Sequence, residues 1–171
     1  MTRKEFIKVL IERHYPYSIN KDRIVITGRD IDLHLIETIP PNIVFDNSAS
    51  VNMTGLRTLP SGIIFNNRGS VYLPFIKKIP ADTEFNNGIS IDLNSLENIP
   101  SGVKFNNIEN IYLRSLKTIS PDVEFNNRGN IYFGLVAHKT LGQELKLSEL
   151  TIKGIDTKKL LNKMIKRSVF V

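Results

Sequence analysis

The sequence predicts a β-solenoid, a stack of short coils in which each coil covers the apolar side of the next. Three observations predict it: a repeat of twenty residues, apolar residues at fixed positions of that repeat, and turn-forming residues between them. One coil has only about seven apolar side chains and cannot enclose a core alone, so the coils must stack. We expect about five and a half coils with parallel strands and a right-handed path, stacked at roughly 4.8 Å. The repeat is clearest in one row of phenylalanines: Phe45, Phe65, Phe85, Phe105 and Phe125.

The N-terminal segment, residues 1–30, is predicted to form a helical cap and a lead-in strand. Thr2 and Glu5 have the spacing of a capping box, and apolar residues follow them at helical spacing. Pro16 is expected to end this helix. Residues 24–33 are predicted to be one strand that leads into the first coil. The helix would cover an open sheet edge that could otherwise pair with other chains.

The repeat region, residues 31–136, is predicted to contain two short strands and two corners in each coil. Residues 71–73 alternate between apolar and polar side chains, as in a half-buried strand, and residues 62–65 form a second such stretch. Turn-forming residues separate them at 67–70 and at 60–62. The proline of the repeat has no amide donor, so we expect it at a corner, where the sheet ladder is absent.

An asparagine follows each phenylalanine by two residues. Its strict periodicity favours a structural role over ligand binding, because an inward amide can bridge backbone groups of successive coils at a corner. We therefore expect a buried row formed by Asn47, Asn67, Asn87, Asn107 and Asn127.

The C-terminal segment, residues 137–171, is predicted to form a second helical cap. The repeat fails after Phe133, since Lys139 stands where an apolar residue is expected. Asp156 can cap a final helix with one apolar stripe. Basic residues occupy much of the remaining helix surface and define an alternative binding surface, the basic cluster: Lys158, Lys159, Lys163, Lys166 and Arg167.

The repeat region resembles leucine-rich repeat proteins, in particular the short twenty-residue bacterial type with a Leu-Pro step. The matching positions in one coil are Val71, Leu73, Ile76, Ile79 and Pro80. Similar repeats occur in bacterial and bacteriophage proteins. The pattern departs from the usual one, because the segment after the strand leucine is two residues shorter and the asparagine follows the phenylalanine instead. The resemblance implies a parallel-strand solenoid and, by analogy only, a protein-binding role.

The composition excludes several classes of protein. The 171 residues include no cysteine, which excludes a disulfide scaffold, a thiolate nucleophile, cysteine-ligated metals and the cysteine chemistry of ubiquitin-ligase effectors with Leu-Pro repeats. No run of eighteen apolar residues occurs, so no membrane span is predicted. The N-terminus lacks the pattern of a signal peptide. We expect a cytoplasmic protein of bacterial or bacteriophage origin.

The charge pattern and the search for catalytic groups favour a non-enzymatic protein. The net charge of +6 divides into +3 for residues 1–30, −2 for 31–136 and +5 for 137–171, so the basic residues lie at the ends. A nucleic-acid-binding protein more often has a basic stripe along its main face. The three histidines are far apart, and neither a phosphate-binding glycine loop nor a catalytic triad is recognisable. We therefore expect no enzymatic activity, cofactor or metal.

The outward column of the main strand is the strongest candidate binding surface. Three of the five tyrosines fall in it, and an arginine lies in the adjacent column. Tyrosine and arginine are enriched at binding hot spots, although tyrosine also has a high strand propensity in its own right. The predicted partner-binding residues are Tyr72, Asp92, Tyr112, Arg114 and Tyr132.

Three functions follow from these patterns. The first is a non-catalytic module that binds a protein through the tyrosine column, as an inhibitor or adaptor. The second is binding of nucleic acid or an anionic surface through the basic cluster. The third is self-association through the end helices or the sheet edges.

Overall fold

The computed structural model describes residues 1–133 and confirms a β-solenoid of about five coils with parallel strands. One helix, α1, and fifteen strands follow one another along the described chain. The C-terminal helical cap and the end of the repeat region lie outside the described residues. The elements are α1 (Arg3–Glu12), β1 (Tyr17–Asn20), β2 (Arg23–Ile26), β3 (Ile31–Asp32), β4 (Ile43–Phe45), β5 (Val51–Asn52), β6 (Ile64–Phe65), β7 (Val71–Tyr72), β8 (Glu84–Phe85), β9 (Ile91–Asp92), β10 (Asn98–Ile99), β11 (Lys104–Phe105), β12 (Ile111–Leu113), β13 (Thr118–Ile119), β14 (Glu124–Phe125) and β15 (Ile131–Phe133).

The predicted N-terminal helix is confirmed, together with its capping box. The amide of Glu5 donates to Thr2 Oγ1 at 3.3 Å, and the amide of Thr2 donates to Glu5 Oε2 at 2.7 Å. Both bonds satisfy amide groups that a helix start leaves without intrahelical partners. Phe6 and Leu10 are fully buried in the core cluster, so the helix covers the first coil.

The helix ends earlier than the proline that was expected to stop it. Its last residue is Glu12, and His14 has a φ of 58°, in the left-handed region. The amide of Tyr15 then donates to the carbonyl of Leu10 at 2.9 Å, which closes the helix end. The prediction that Pro16 ends the helix is therefore wrong, because a left-handed cap ends it first.

The single lead-in strand predicted over residues 24–33 is also wrong. The chain forms β2 and β3 there, and the intervening corner contains Gly28 with a φ of 111°. β2 pairs antiparallel with β1 as a hairpin and parallel with β4, so that Ile26 lies opposite Phe45. The solenoid therefore begins at β2, one corner before the region where the twenty-residue spacing starts.

Two long sheets form the two main sides of the solenoid. The phenylalanine sheet has the strand order β1-β2-β4-β6-β8-β11-β14, and the tyrosine sheet has the order β3-β5-β7-β9-β12-β15. A short third pair joins β10 and β13. Equivalent residues of neighbouring coils are in register, as in the pairs Phe65 with Phe85 and Tyr112 with Tyr132. A side chain in one coil therefore lies beside its own equivalent in the next.

The core contains the five repeated phenylalanines in a single row. Neighbouring rings are stacked with centroids 5.0 to 5.3 Å apart and interplanar angles of 3° to 6°. Each coil adds further buried residues from its tyrosine-sheet strand, for example Val71 and Leu73, which are both fully buried. Identical side chains thus fill each layer of the interior in the same way.

The buried asparagines bind backbone carbonyls at the corner, in the structural role predicted for them. Asn67 Nδ2 lies 3.1 Å from the carbonyl oxygens of Ala49 and Gly69 and 3.3 Å from that of Ser70. One amide thus ties two successive coils together. Only the Nδ2 group of Asn67 takes part in this bridge. Its Oδ1 accepts no hydrogen bond from residues 1–133.

A second, exposed row of asparagines was not predicted. It lies one residue after each phenylalanine from Phe65 onward, and Nδ2 of Asn86, Asn106 and Asn126 donates to Oδ1 of the equivalent asparagine in the preceding coil at 2.8 to 3.3 Å. The signal was present in the sequence as a pair of asparagines after the phenylalanine. The members of this row are Asn66, Asn86, Asn106 and Asn126.

One corner of the solenoid alternates between glycine and a short polar residue: Asn42, Gly62, Asp82, Gly102 and Asp122. Gly62 and Gly102 have φ values of 72° and 73°, in the left-handed region. A Cβ atom at Gly62 would overlap Oδ1 of Asn42, and one at Gly102 would overlap Oδ1 of Asp82. The polar side chain of one coil therefore occupies the space that a side chain of the next would need.

Candidate functional site

The tyrosine sheet brings the predicted binding residues of successive coils side by side. Parallel pairing of β7, β9, β12 and β15 places Tyr72 opposite Asp92, Asp92 opposite Tyr112, and Tyr112 opposite Tyr132. Their side chains point outward because the strand residues on either side of Tyr72 and Tyr112 point into the core. The register of the coils thus creates one continuous outward column.

A cavity of about 350 Å³ opens on this column. Four of the five residues predicted from the sequence line it, namely all except Tyr132. The ring of Tyr132 stacks on the ring of Tyr112, with centroids 4.8 Å apart and an interplanar angle of 10°. The complete lining is Ser70, Tyr72, Ser90, Asp92, Asn94, Tyr112 and Arg114.

Asp92 holds the turn that follows its strand. Its Oδ1 accepts a hydrogen bond from the amide of Asn94 at 3.1 Å. Asp32 and Asn52 bind the amide two residues further on in the same way, each at 3.2 Å. A short polar side chain in this column therefore has a structural role of its own. Because Asn52 performs it without a charge, the charge of Asp92 is not required for the turn.

The second oxygen of Asp92 is not engaged. Oδ2 has neither a hydrogen bond nor an ion pair within residues 1–133, and the guanidinium of Arg114 lies beyond ion-pair distance. Burial raises the pKa of the Asp92 carboxyl, against smaller lowering effects from the Asn94 amide and the charge of Arg114. Asn94 also lines the cavity, and its Oδ1 is buried without a donor among the described residues.

The floor of the cavity contains two serines that were not predicted. Ser70 Oγ accepts from the amide of Ser90 at 3.3 Å, and Ser90 Oγ accepts from the amide of Asn110 at 3.2 Å. Ser50 makes the same bond to the amide of Ser70 at 3.1 Å. These hydroxyls therefore link successive coils, and the signal for them was the recurrence of short polar residues just before the strand.

The side chains that line the cavity offer groups for non-covalent contacts and include no serine–histidine pair. Their titratable groups are one carboxyl, two phenols and one guanidinium, with no histidine to act as a base toward the serines. Both serine hydroxyls are engaged with backbone amides. The cavity therefore offers aromatic faces, hydrogen-bond acceptors and one cation.

The other predicted features lie elsewhere. Of the three histidines, His34 is exposed, with Nδ1 2.9 Å from Asp32 Oδ1. Residues 1–133 contain no group of three or more histidine, aspartate or glutamate side chains placed to bind a metal ion. Within the same residues, α1 is too short and too polar to cross a bilayer. The basic cluster, Lys158 to Arg167, lies outside the described residues, so its role stays a prediction.

No protein family, curated protein or solved structure was found to match this chain. The resemblance to leucine-rich repeats therefore stays a prediction, while the solenoid itself is established by the strand pairing.

Proposed function

We propose that the protein is a non-catalytic module that binds a protein partner through the tyrosine sheet. The observation that carries this proposal is the cavity, since Tyr72, Asp92, Tyr112 and Arg114 from three successive coils line it together. Tyrosine and arginine dominate binding hot spots because they combine a large contact area with polar tips. Tyr132 extends the same surface by stacking on Tyr112.

The rigidity of this surface supports the proposal. The outward side chains are carried on strands whose inward residues, such as Ile91 and Ile111, are fully buried. Stacking of Tyr112 on Tyr132 further restricts both rings. A surface that is ordered before binding loses less conformational entropy when a partner docks, so more of its contact energy is retained as affinity.

The resemblance to leucine-rich repeats supports the same proposal by analogy of fold only. A role as an inhibitor or adaptor in a bacterial cytoplasm is its finer form, and it rests on that resemblance and on the absence of cysteine.

Affinity capture with variants of two faces tests the proposal. In the first variant Tyr72, Tyr112 and Tyr132 are changed to alanine. In the matched control, three outward residues of the phenylalanine sheet are changed to alanine: Glu84, Lys104 and Glu124. A partner captured by the wild type and the control but lost by the tyrosine variant, with both variants folded by circular dichroism, supports the proposal. Identical partner lists for all three proteins would refute it.

Binding of nucleic acid or an anionic surface by the basic cluster is a second candidate, favoured by the charge of +5 on residues 137–171. Such binding weakens steeply with salt, because each neutralised phosphate releases counterions. Affinity for duplex DNA and for RNA should therefore fall strongly between low and moderate salt, and should be lost when the five basic residues are changed to glutamine. Salt-independent binding, or none, would exclude this function.

A further inference from the structure

Between Tyr72 and Tyr132, the outward column of the tyrosine sheet has one shorter side chain. Asp92 lies between Tyr72 and Tyr112 in the strand register. Stacked tyrosines of adjacent coils have centroids 4.8 Å apart, so two coils span roughly 9.6 Å along the column. Allowing about 3.5 Å for the thickness of two rings leaves about 6 Å along the column at the coil of Asp92. This gap is wide enough for one extended side chain of a ligand.

The carboxyl of Asp92 favours a ligand that carries only donors. Asp92 lines the cavity, and its Oδ2 has no hydrogen-bond or ion-pair partner within residues 1–133. An ammonium group offers three donors and a guanidinium five, and neither has an acceptor. Burial also raises the pKa of the Asp92 carboxyl, so its charge is poorly solvated and a bound cation would stabilise it.

The wall of the gap is suited to the same ligand. Tyr132 covers one face of the Tyr112 ring, and Asp92 lies in the coil on the other side of Tyr112. The uncovered face of Tyr112 is therefore directed toward the gap. The faces of aromatic rings attract cations through the ring quadrupole, and they also pack against the alkyl part of a long basic side chain.

We infer that this cavity receives a lysine or arginine side chain of the protein partner. The cation binds Asp92 Oδ2, and the aliphatic part of the side chain lies between the rings of Tyr72 and Tyr112. The inference rests on the proposed function, because it specifies what the partner presents to the tyrosine sheet.

Arg114 allows the binding of a basic ligand to be distinguished from the binding of an acidic one. Its guanidinium lines the same cavity but forms no ion pair with Asp92. Its positive charge opposes the entry of a second cation, whereas it would attract an acidic ligand. Removing Arg114 should therefore maintain or strengthen the binding of a basic side chain, and it should weaken the binding of an acidic one.

Titration of the isotope-labelled full chain with four pentapeptides tests the inference. The peptides carry arginine, lysine, norleucine or glutamate between alanines, and the amide signals of Tyr72, Asn94 and Tyr112 report binding. We expect saturable shifts with the two basic peptides only. Asp92→Asn should weaken these by about tenfold while the fold persists, since Asn52 makes the same turn contact without a charge. Arg114→Ala should bind the basic peptides at least as tightly as the wild type.

Several results would overturn the inference: no saturable shifts, equal binding of the norleucine peptide, unchanged affinity in Asp92→Asn, or binding of the glutamate peptide that Arg114→Ala abolishes. These failures are distinct from failure of the proposed function. If the triple tyrosine variant loses its partner while basic peptides do not bind, the face binds a protein by other chemistry. If that variant keeps its partners, the proposed function itself is refuted.

Discussion

Two rows of aromatic residues run along the solenoid with the same period, yet they differ in regularity. The phenylalanine row is unbroken from Phe45 to Phe125, and its rings are between 0% and 4% exposed. The tyrosine row on the opposite sheet is interrupted at Asp92, and Tyr72 is 43% exposed. Stacking joins all five phenylalanines, whereas in the outer row it joins one pair, Tyr112 and Tyr132.

The comparison shows that stacked coils need identical side chains in the interior but not on the outward face. In the enclosed interior, each ring contacts the same ring in the coils before and after it, so any exception would leave a void or an overlap. On the outward face, solvent accepts any side chain that a strand tolerates. Regularity in the sequence therefore identifies the architecture, and departures from it on an ordered surface identify candidate binding residues such as Asp92.

The largest expected loss of stability comes from removing one ring of the inner phenylalanine row. Phe85 stacks on Phe65 and Phe105, each at 5.3 Å, so Phe85→Ala should lower the free energy of unfolding by about 3–5 kcal/mol. Tyr112→Ala in the outer row should cost only about 0.5–1.5 kcal/mol, the value of one aromatic pair. Urea denaturation monitored by circular dichroism measures both. Should Phe85→Ala not fold, Phe85→Leu gives a smaller loss, and equal losses for the two rows would contradict the comparison.

The asparagines allow the same comparison for polar side chains. The buried Asn87 donates to the carbonyls of Gly69 and Ser90 at 3.3 and 3.1 Å, while the exposed Asn86 bonds to Asn66. Asn87→Ala leaves buried carbonyls without donors and should cost about 1–3 kcal/mol. Asn86→Ala should change stability by only about 0.5 kcal/mol. Thermal unfolding of the two variants measures both losses. A larger loss in Asn86→Ala than in Asn87→Ala would show that the exposed row stabilises the fold more than the buried one.

The contrast between regular inner columns and a variable outward face also explains which parts of the fold could be predicted from the sequence. The inner columns were readable because each coil repeats them, as Phe65 and Asn67 illustrate. The start of the solenoid was missed, since Ile24 and Ile26 continue the apolar pattern toward Ile31 and conceal the corner between them. The cavity residues were identifiable as a column, but the gap between the rings was not. Its size depends on side-chain geometry, which sequence spacing does not contain.

Replacing Asp92 with tyrosine, which completes the outer row between Tyr72 and Tyr112, should change stability less. Asp92→Tyr removes the hydrogen bond to the amide of Asn94, which costs about 0.5–1.5 kcal/mol. The new ring can stack on Tyr72 and Tyr112, and each stacked pair stabilises the fold by a similar amount. The net change in unfolding free energy should be within about 1 kcal/mol, as measured in urea. Binding through the cavity should nevertheless be lost, and a variant that still bound basic peptides with wild-type affinity would show that the gap is not the site.

The smallest effect concerns pH. The pKa of Asp92 is raised from its ordinary value of 3.8 in the folded state, chiefly by burial, so the folded state holds this proton more tightly than the unfolded state. Its contribution to stability is therefore greatest below pH 3.8 and declines as the pH rises through the folded pKa. Tyr72, Tyr112 and Arg114 are the other side chains with titratable groups that line the cavity beside it.

Asp92→Asn removes this titration while it retains a side chain that can hold the turn. The stability of the wild type relative to the variant should fall as the pH rises from about 3 toward neutrality, with the variant at least as stable at neutral pH. Denaturation in urea at a series of pH values measures the difference. A wild type that gained stability over the variant with rising pH would show that an unrecognised cation already neutralises the carboxylate.

The alternation at the solenoid corner bears on how a chain of this kind can be shortened. The side chain of Asn42 fills the space over Gly62, and that of Asp82 fills the space over Gly102, so the pattern at this corner repeats every two coils, or forty residues. Excision of residues 62–81 would place Asp82 where Gly62 now lies, one coil after Asn42, and its Cβ would have to displace Oδ1 of Asn42. Excision of residues 62–101 would place Gly102 there instead and keep the observed pattern, so it should disturb this corner less although it removes twice as many residues.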